Sequence, residues 1–293
     1  MYWITYEKDG TQKVGALTPN RKTVLTLKEL GFEEELSMVE LIGKADADAL
    51  EKAERIWEKA EGGMAVEEVK LLSPIPRPIH DVICVGLNYY SHREETEDRH
   101  EFSAKNLQDT VYFSKRACRI TGPDEGFEGR VDIDEELDYE VELAVIIGKE
   151  CKDIQPEEAE EYIFGYSVFN DFSSRAVQRR HTQWLRGKSM DGYTAMGPVI
   201  VGKKQLPLPL ELNLSSKING ELRQNSNTNL MMADIPTIVS ELSQGMTLEP
   251  GDIIATGTPA GVGMGFKPPK YLKKGDCVEC TIEGIGTLTN WIK

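Results

Sequence analysis

Hydrophobic and polar positions change period along this chain in a way that predicts its elements. Residues 2–7 and 13–18 alternate around Asp9-Gly10, the pattern of a β-hairpin. Residues 37–61, rich in Ala, Glu and Lys, predict a helix that ends before Glu61-Gly62-Gly63. The proline-punctuated stretch from Leu71 to Pro78 then marks a boundary between a small N-terminal α+β domain (1–75) and a larger one (76–293). Beyond it, strands are predicted at 81–86, 111–115, 140–147, 163–169, 198–202, 211–218, 252–256, 277–282 and 286–292. Short helices follow Asn88 and Pro156, span 235–244, and carry Arg175 and Gln178 behind a Ser173 or Ser174 cap. Strands outnumber helices and lack a regular βαβ rhythm, which predicts a β-rich α+β fold and not a doubly wound sheet.

The segment Leu137-Asp138-Tyr139-Glu140-Val141-Glu142-Leu143-Ala144-Val145-Ile146-Ile147-Gly148 is the most informative one. Successive side chains of a strand alternate faces, so Glu140 and Glu142 project from the same side and repel. Residues 124–142 are crowded with acids, and most acidic runs are solvated loops. Here the last two acids lead directly into an apolar core strand. They either face water or are held by a cation, and a hard divalent ion such as Mg²⁺ or Mn²⁺ suits carboxylate oxygens.

The 293 residues carry a formal net charge of −15, which removes nucleic acid as an expected partner, since no basic surplus offsets phosphates. Anionic small substrates remain compatible, because local Arg, Lys and metal can reverse the field in one pocket. The first ten residues hold no apolar run of signal-peptide length, and no later run approaches a membrane span, so a cytoplasmic protein without membrane partners is expected. Cys84, Cys118, Cys151, Cys277 and Cys280 are scattered. Cys277 and Cys280 have C-x-x-C spacing, but on an alternating strand they face opposite sides, and no second pair completes a zinc site.

Two nucleotide-binding motifs fail on inspection. Gly187-Lys188-Ser189 lacks the preceding P-loop glycine, since Thr182 stands there, and Gly261-Val-Gly263-Met-Gly265 is followed by Phe266 and Lys-Pro-Pro. Its glycines instead predict a mobile, backbone-lined loop beside a ligand. His92 stands three residues before Glu95, so on a helix the two share one face and can work as a proton-transferring pair or form an exposed ion pair; Glu94 competes as the partner. His80, His100 and His181 have no evident partner in the sequence and are expected at the surface.

Six segments in order resemble the fumarylacetoacetate hydrolase superfamily over residues 80–293. They are Val85-Gly86-Leu87-Asn88-Tyr89 with His92 and Glu95; Leu137 to Leu143; Asn170-Asp171-Phe172-Ser173-Ser174-Arg175-Ala176-Val177-Gln178; Gly187-Lys188-Ser189-Met190-Asp191; Asn219 to Gln224; and Gly251 to Gly263. The likeness is to bacterial members with a small N-terminal domain, some with oxaloacetate decarboxylase activity, and to acylpyruvate hydrolases. It implies a mixed β-sandwich roll in which Glu140, Glu142 and Asp171 hold Mg²⁺ or Mn²⁺. It implies that Lys188 lies beside the metal, that Arg175, Gln178 and Thr258 bind substrate, and that His92 and Glu95 form a dyad on a lid. Many relatives carry an acid after the arginine, where this chain has Ala176.

The implied chemistry is C–C cleavage β to a 2-oxo acid. The substrate's carboxylate and keto oxygens would chelate the metal, and the enolate left by cleavage would be stabilised there. Oxaloacetate decarboxylation needs only that enolate and a proton donor; acylpyruvate hydrolysis also needs a water activated by His92–Glu95. Isomerisation or hydration of a 2-hydroxyhepta-2,4-diene-1,7-dioate is the enzymatic alternative. A catalytically silent metabolite-binding protein is the alternative from another class. A homodimer is expected from the resemblance, with the N-terminal domain as a cap narrowing the site.

Overall fold

The computed structural model describes residues 1–32, 35–96 and 109–293. Its centre is an eleven-stranded sheet. From one edge the order is Met64–Ala65, Thr23–Thr26, Thr11–Leu17, Tyr2–Lys8, Thr194–Gly202, Ile163–Asp171, Val141–Ile147, Ile253–Ala255, Val82–Gly86 and Val111–Lys115, with Lys70–Leu72 also on Tyr2–Lys8. A five-stranded sheet runs Glu221–Asn227, Asn213–Ile218, Cys277–Ile282, Gly286–Ile292 and Glu125–Phe127. This is the β-rich α+β architecture that the strand count predicts. The expected domain boundary near residue 75 lies between elements of one continuous sheet, because Tyr2–Lys8 pairs antiparallel with Thr194–Gly202.

The Val141–Ile147 strand is buried on both faces, which explains its unbroken apolar run. Its odd positions (Val141, Leu143, Val145, Ile147) join a core with Leu214, Val278 and Leu288 of the smaller sheet and with Ile238 and Leu242 of the helix Ile235–Ser243. Its even positions Ala144 and Ile146 join a second core with Phe169 and the N-terminal helical residues Leu41, Ile42 and Trp57. Glu140 and Glu142 continue this even row outward, so the acids sit where one apolar layer ends.

The helix expected over 37–61 is two helices, Met38–Lys44 and Ala47–Glu58. Ser37 and Glu40 cap the first reciprocally. Asp46 accepts from the Ala49 N–H at 2.8 Å and restarts the helix, which is what breaks the run. Ser174 precedes the helix Arg175–Arg180 but does not cap it with its side chain; its hydroxyl donates to Asp134 instead. Cys277 is half-buried and Cys280 fully buried, on opposite faces of one strand as their spacing predicts. No helix among the described residues is long and apolar enough to cross a membrane.

His181 is exposed, and His100 lies outside the described residues. His80 corrects the expectation that it lacks partners: its Nδ1 lies 2.7 Å from Asp252 Oδ1 and its Nε2 3.3 Å from Glu249 Oε2. The pair joins the entrances to two parallel neighbours, Val82–Gly86 and Ile253–Ala255. The hydrogen bond to Asp252 holds the imidazole pKa above its ordinary 6.5, against a smaller effect of burial. A raised folded value means that the pair's stabilisation is complete below 6.5 and fades as pH rises through the folded value. His80→Gln should therefore flatten the decline in Tm across that range by an amount equivalent to under ~1 kcal/mol, given the imidazole's exposure. Equal pH slopes in the two proteins would contradict this role.

Candidate active site

The antiparallel register sets Val141 opposite Asn170, and the Asp171 N–H donates to the Glu140 carbonyl at 3.0 Å. Glu140, Glu142 and Asp171 therefore share one face at the strand ends. All three are buried, with carboxylate oxygens within 4.8 Å of one another. The Asn170 side chain accepts from the Glu140 N–H at 3.0 Å and fixes the turn into the strand.

Two short helices supply the cations. Arg175 and Gln178 are one turn apart on Arg175–Arg180, and Lys188 ends Leu185–Lys188. Gly187 lets these helices touch: a Cβ there would lie 2.7 Å from the Gln178 backbone. Lys188 Nζ donates to Glu140 Oε2 at 2.7 Å and to Asp171 Oδ2 at 2.8 Å. Arg175 Nη2 lies 2.6 Å from Glu140 Oε1, a close ion pair not aligned as a hydrogen bond, while its Nε donates to Asp138 Oδ2 at 2.9 Å. Lys115, fully buried at the end of Val111–Lys115, donates to Asp171 and to the Phe172 carbonyl.

The electrostatics follow from this pairing. Burial works against the charged form of Glu140, but Lys188, Arg175 and His92 outweigh it and hold the carboxyl below its usual range. Glu142 is pushed well above its usual range by burial and then by the Asp171 and Glu140 charges. Among the described residues its one hydrogen bond is from the Gly257 N–H, at 2.8 Å. Lys188 is also desolvated, yet Asp171 and Glu140 keep its pKa raised, whereas burial and the Lys188 charge lower that of Lys115.

Four buried carboxyl groups (Asp138, Glu140, Glu142, Asp171) thus face three buried cations (Lys115, Arg175, Lys188), and Glu142 is the acid without an ion pair among the described residues. An all-oxygen donor set with that surplus fits a hard divalent cation. Adding one reverses the local excess from negative to positive, which favours an anionic ligand.

The helix Tyr90–Thr96 brings His92 and Thr96 to the same cavity as Glu140 and Glu142. Asn88 anchors its start, donating to the Thr256 carbonyl at 2.8 Å and the Ala233 carbonyl at 3.0 Å. His92 Nδ1 lies 3.3 Å from Glu95 Oε2, which selects Glu95 over Glu94. Glu95 Oε1 accepts from the Gly261 N–H at 2.9 Å. His92, Glu140, Glu142, Arg175, Gln178, Lys188 and Thr258 line one cavity together with Phe113, Trp184 and Met264. The Thr258 hydroxyl is already committed, donating to the Val141 carbonyl and accepting from Gln224.

All nine residues singled out in the sequence come together here. Reading by sequence missed Lys115, whose only signal is a lysine closing an apolar strand, and Gln224, which is fully buried. The Gln224 amide accepts from the Val141 N–H at 3.1 Å and donates to Thr258 Oγ1 at 2.7 Å, fixing the strand between the two glutamates to the Thr258 turn. The glycine loop expected to be mobile is tethered: the Gly263 and Met264 N–H groups donate to Asp138, and the Tyr139 hydroxyl donates to the Gly261 carbonyl.

With this fold and site, the chain belongs to the fumarylacetoacetate hydrolase family: residues 81–293 match the family's Fumarylacetoacetate (FAA) hydrolase C-terminal region. It is 41% identical to oxaloacetate tautomerase YisK of Bacillus subtilis over 265 residues, covering 87% of this chain and 86% of that one. A fumarylacetoacetate hydrolase from psychrophilic Exiguobacterium antarcticum superposes with a TM-score of 0.83 at 39% identity, covering 100% of this chain and 99% of the other. A maleylpyruvate hydrolase from Sphingobium sp. SYK-6, solved with manganese(II) and pyruvate, superposes with a TM-score of 0.78 at 26% identity, covering 100% and 98%.

Glu142→Gln separates a metal site from a merely paired cluster. In chelator at neutral pH the variant should melt no lower than the parent, because it removes a carboxyl whose charged form burial and its acidic neighbours disfavour. Mn²⁺ at about 100 times its Kd should stabilise the parent by ~2.7 kcal/mol and leave the variant unmoved. An equal Mn²⁺-induced rise in Tm in both proteins would remove Glu142 from the ligand set.

Proposed function

We propose that the chain is a divalent-metal-dependent enzyme acting on a small 2-oxo acid with a carbonyl or carboxyl group β to the ketone, oxaloacetate being the leading substrate. The observation that carries this reading is the convergence of the His92–Glu95 pair, the Glu140–Glu142–Asp171 cluster and Arg175–Gln178 around one cavity, which His92, Glu140, Glu142, Arg175 and Gln178 line. The similarity to an oxaloacetate tautomerase over most of both chains supports the choice of substrate. Mg²⁺ or Mn²⁺ held by the three carboxylates would supply positive charge to the ketone oxygen, where negative charge grows as the adjacent carbon loses a proton or a carboxyl group.

The chain's own residues do the rest. Arg175 and Gln178, already hydrogen-bonded to each other at 3.2 Å, present a guanidinium and an amide to the substrate's carboxylate and carbonyl. Glu95 occupies His92 Nδ1 and steadies the charged imidazole, which leaves Nε2 to carry a proton between the carbon that separates the carbonyls and the ketone oxygen. Tautomerisation of oxaloacetate is that transfer alone, a reaction absent from the sequence-based expectation. Decarboxylation instead breaks the bond to the β-carboxylate, releases CO₂ and leaves the enolate of pyruvate, which then needs a proton delivered to its terminal carbon. Acylpyruvate hydrolysis further needs the dyad to activate a water. The similarity to an oxaloacetate tautomerase over most of both chains favours oxaloacetate over acylpyruvates.

Turnover of oxaloacetate, followed by enol absorbance and by pyruvate release with Mn²⁺ or chelator, tests this reading. Mn²⁺ should accelerate one or both signals in the parent beyond the free-metal rate that remains with Glu140→Ala. His92→Ala should slow the reaction by about 10²–10⁴ while keeping Mn²⁺ binding. Enol decay without pyruvate would mark a tautomerase, and pyruvate release a decarboxylase. No acceleration with oxaloacetate, acylpyruvates or dienedioates would contradict an enzyme and favour a binding protein, which needs the carboxylates but not His92.

A further inference from the structure

We propose that Asp138 is a positioning residue that holds the His92–Glu95 dyad and the Arg175 guanidinium in register through one buried carboxylate. The inference rests on the function proposed above for its kinetic consequences, but not for its structural ones. Asp138 is fully buried at the end of the two-residue strand Leu137–Asp138, paired with Ser173–Ser174. Its Oδ1 accepts from the N–H groups of Gly263 at 2.6 Å and Tyr139 at 2.9 Å. Its Oδ2 accepts from the Met264 N–H at 3.0 Å and from Arg175 Nε at 2.9 Å. Four donors saturate the carboxylate, which separates Asp138 from the three acids of the cluster.

The two sets of donors lead to the two halves of the site. On one side, Gly263–Gly265 forms a tight turn on which the helix Tyr90–Thr96 rests. The fit leaves no room for a side chain: a Cβ on Gly265 would lie 1.9 Å from Glu95 Oε1. The same loop gives Glu95 its Gly261 N–H bond. On the other side, Asp138 holds Arg175 by Nε alone, leaving Nη2 beside Glu140 and Nη1 on Gln178. A shift of this carboxylate therefore displaces the seat of Glu95 and the arginine fork together. Asparagine cannot reproduce the arrangement, because its amide nitrogen would face an N–H donor on one side.

Asp138→Asn in the full-length chain tests this by hydrogen–deuterium exchange, Mn²⁺ affinity and oxaloacetate kinetics. Exchange should rise roughly tenfold both at residues 261–265 and at 90–96, with Mn²⁺ affinity within about threefold of the parent. The kcat should fall, and KM rise, each by roughly tenfold, since dyad and arginine lose alignment together. Gly265→Ala, which displaces Glu95 without touching Asp138 or Arg175, should lower kcat and leave KM alone. A lower Tm with unchanged exchange and kinetics in Asp138→Asn would overturn the proposal, as would a Gly265→Ala variant with the parent's kcat. If the parent turns over no 2-oxo acid, the proposed function fails while exchange still decides the role of Asp138. Loosening of both segments with Mn²⁺ binding intact then supports it, and loosening of neither overturns it. If asparagine prevents folding, Asp138→Ser is measured against the same outcomes.

Discussion

Glu140, Glu142 and Asp171 bring three carboxylates within 4.8 Å of one another in a space nearly closed to water. Removing an ion from water costs several kcal/mol unless an opposite charge and good hydrogen bonds replace the lost hydration. Most of the surrounding structure answers that cost. Lys188 bridges Glu140 and Asp171, Lys115 closes the far side of Asp171, and Arg175 ties Glu140 to Asp138. Glu142 is left with a single backbone N–H, and its raised pKa records the shortfall. An all-oxygen cluster with one acid so poorly compensated fits a hard divalent cation.

The sheet makes this arrangement rigid. The acids extend the even row of a strand whose two faces are both packed, so the strand cannot slip by one residue without driving its apolar side chains out of both cores. Gln224 and Asp138, each saturated with hydrogen bonds, carry that rigidity outward to the Thr258 turn and the Gly263–Gly265 turn. The dyad helix rests on the second of these. Proton transfer between a base and a carbon acid depends steeply on alignment, so under the proposed function these supports would position the dyad.

Much of this site is legible in the sequence, for reasons that differ by residue. Period-two alternation places Glu140 and Glu142 on one face, and the i, i+3 spacing joins His92 to Glu95; both depend only on local geometry. Asp171 and Lys188 enter through ordered segments shared with a family, because nothing local says that they meet. Lys115 and the bracing role of Asp138 stay hidden because their partners lie far along the chain, with Asp138 reaching Gly263 across 125 residues. His80 pairs with Asp252 across 172 residues for the same reason: only the parallel pairing of Val82–Gly86 with Ile253–Ala255 brings them together. The broken helix at Asp46 was readable as a capping signal, but the surrounding Ala, Glu and Lys composition masked it.

The most direct test of the account is a crystal grown with Mn²⁺ and measured at the manganese absorption edge. The account predicts one anomalous peak per chain, with an oxygen from each of Glu140, Glu142 and Asp171 at about 2.1 Å. A peak elsewhere, or none, with Lys188 still bridging Glu140 and Asp171, would contradict it.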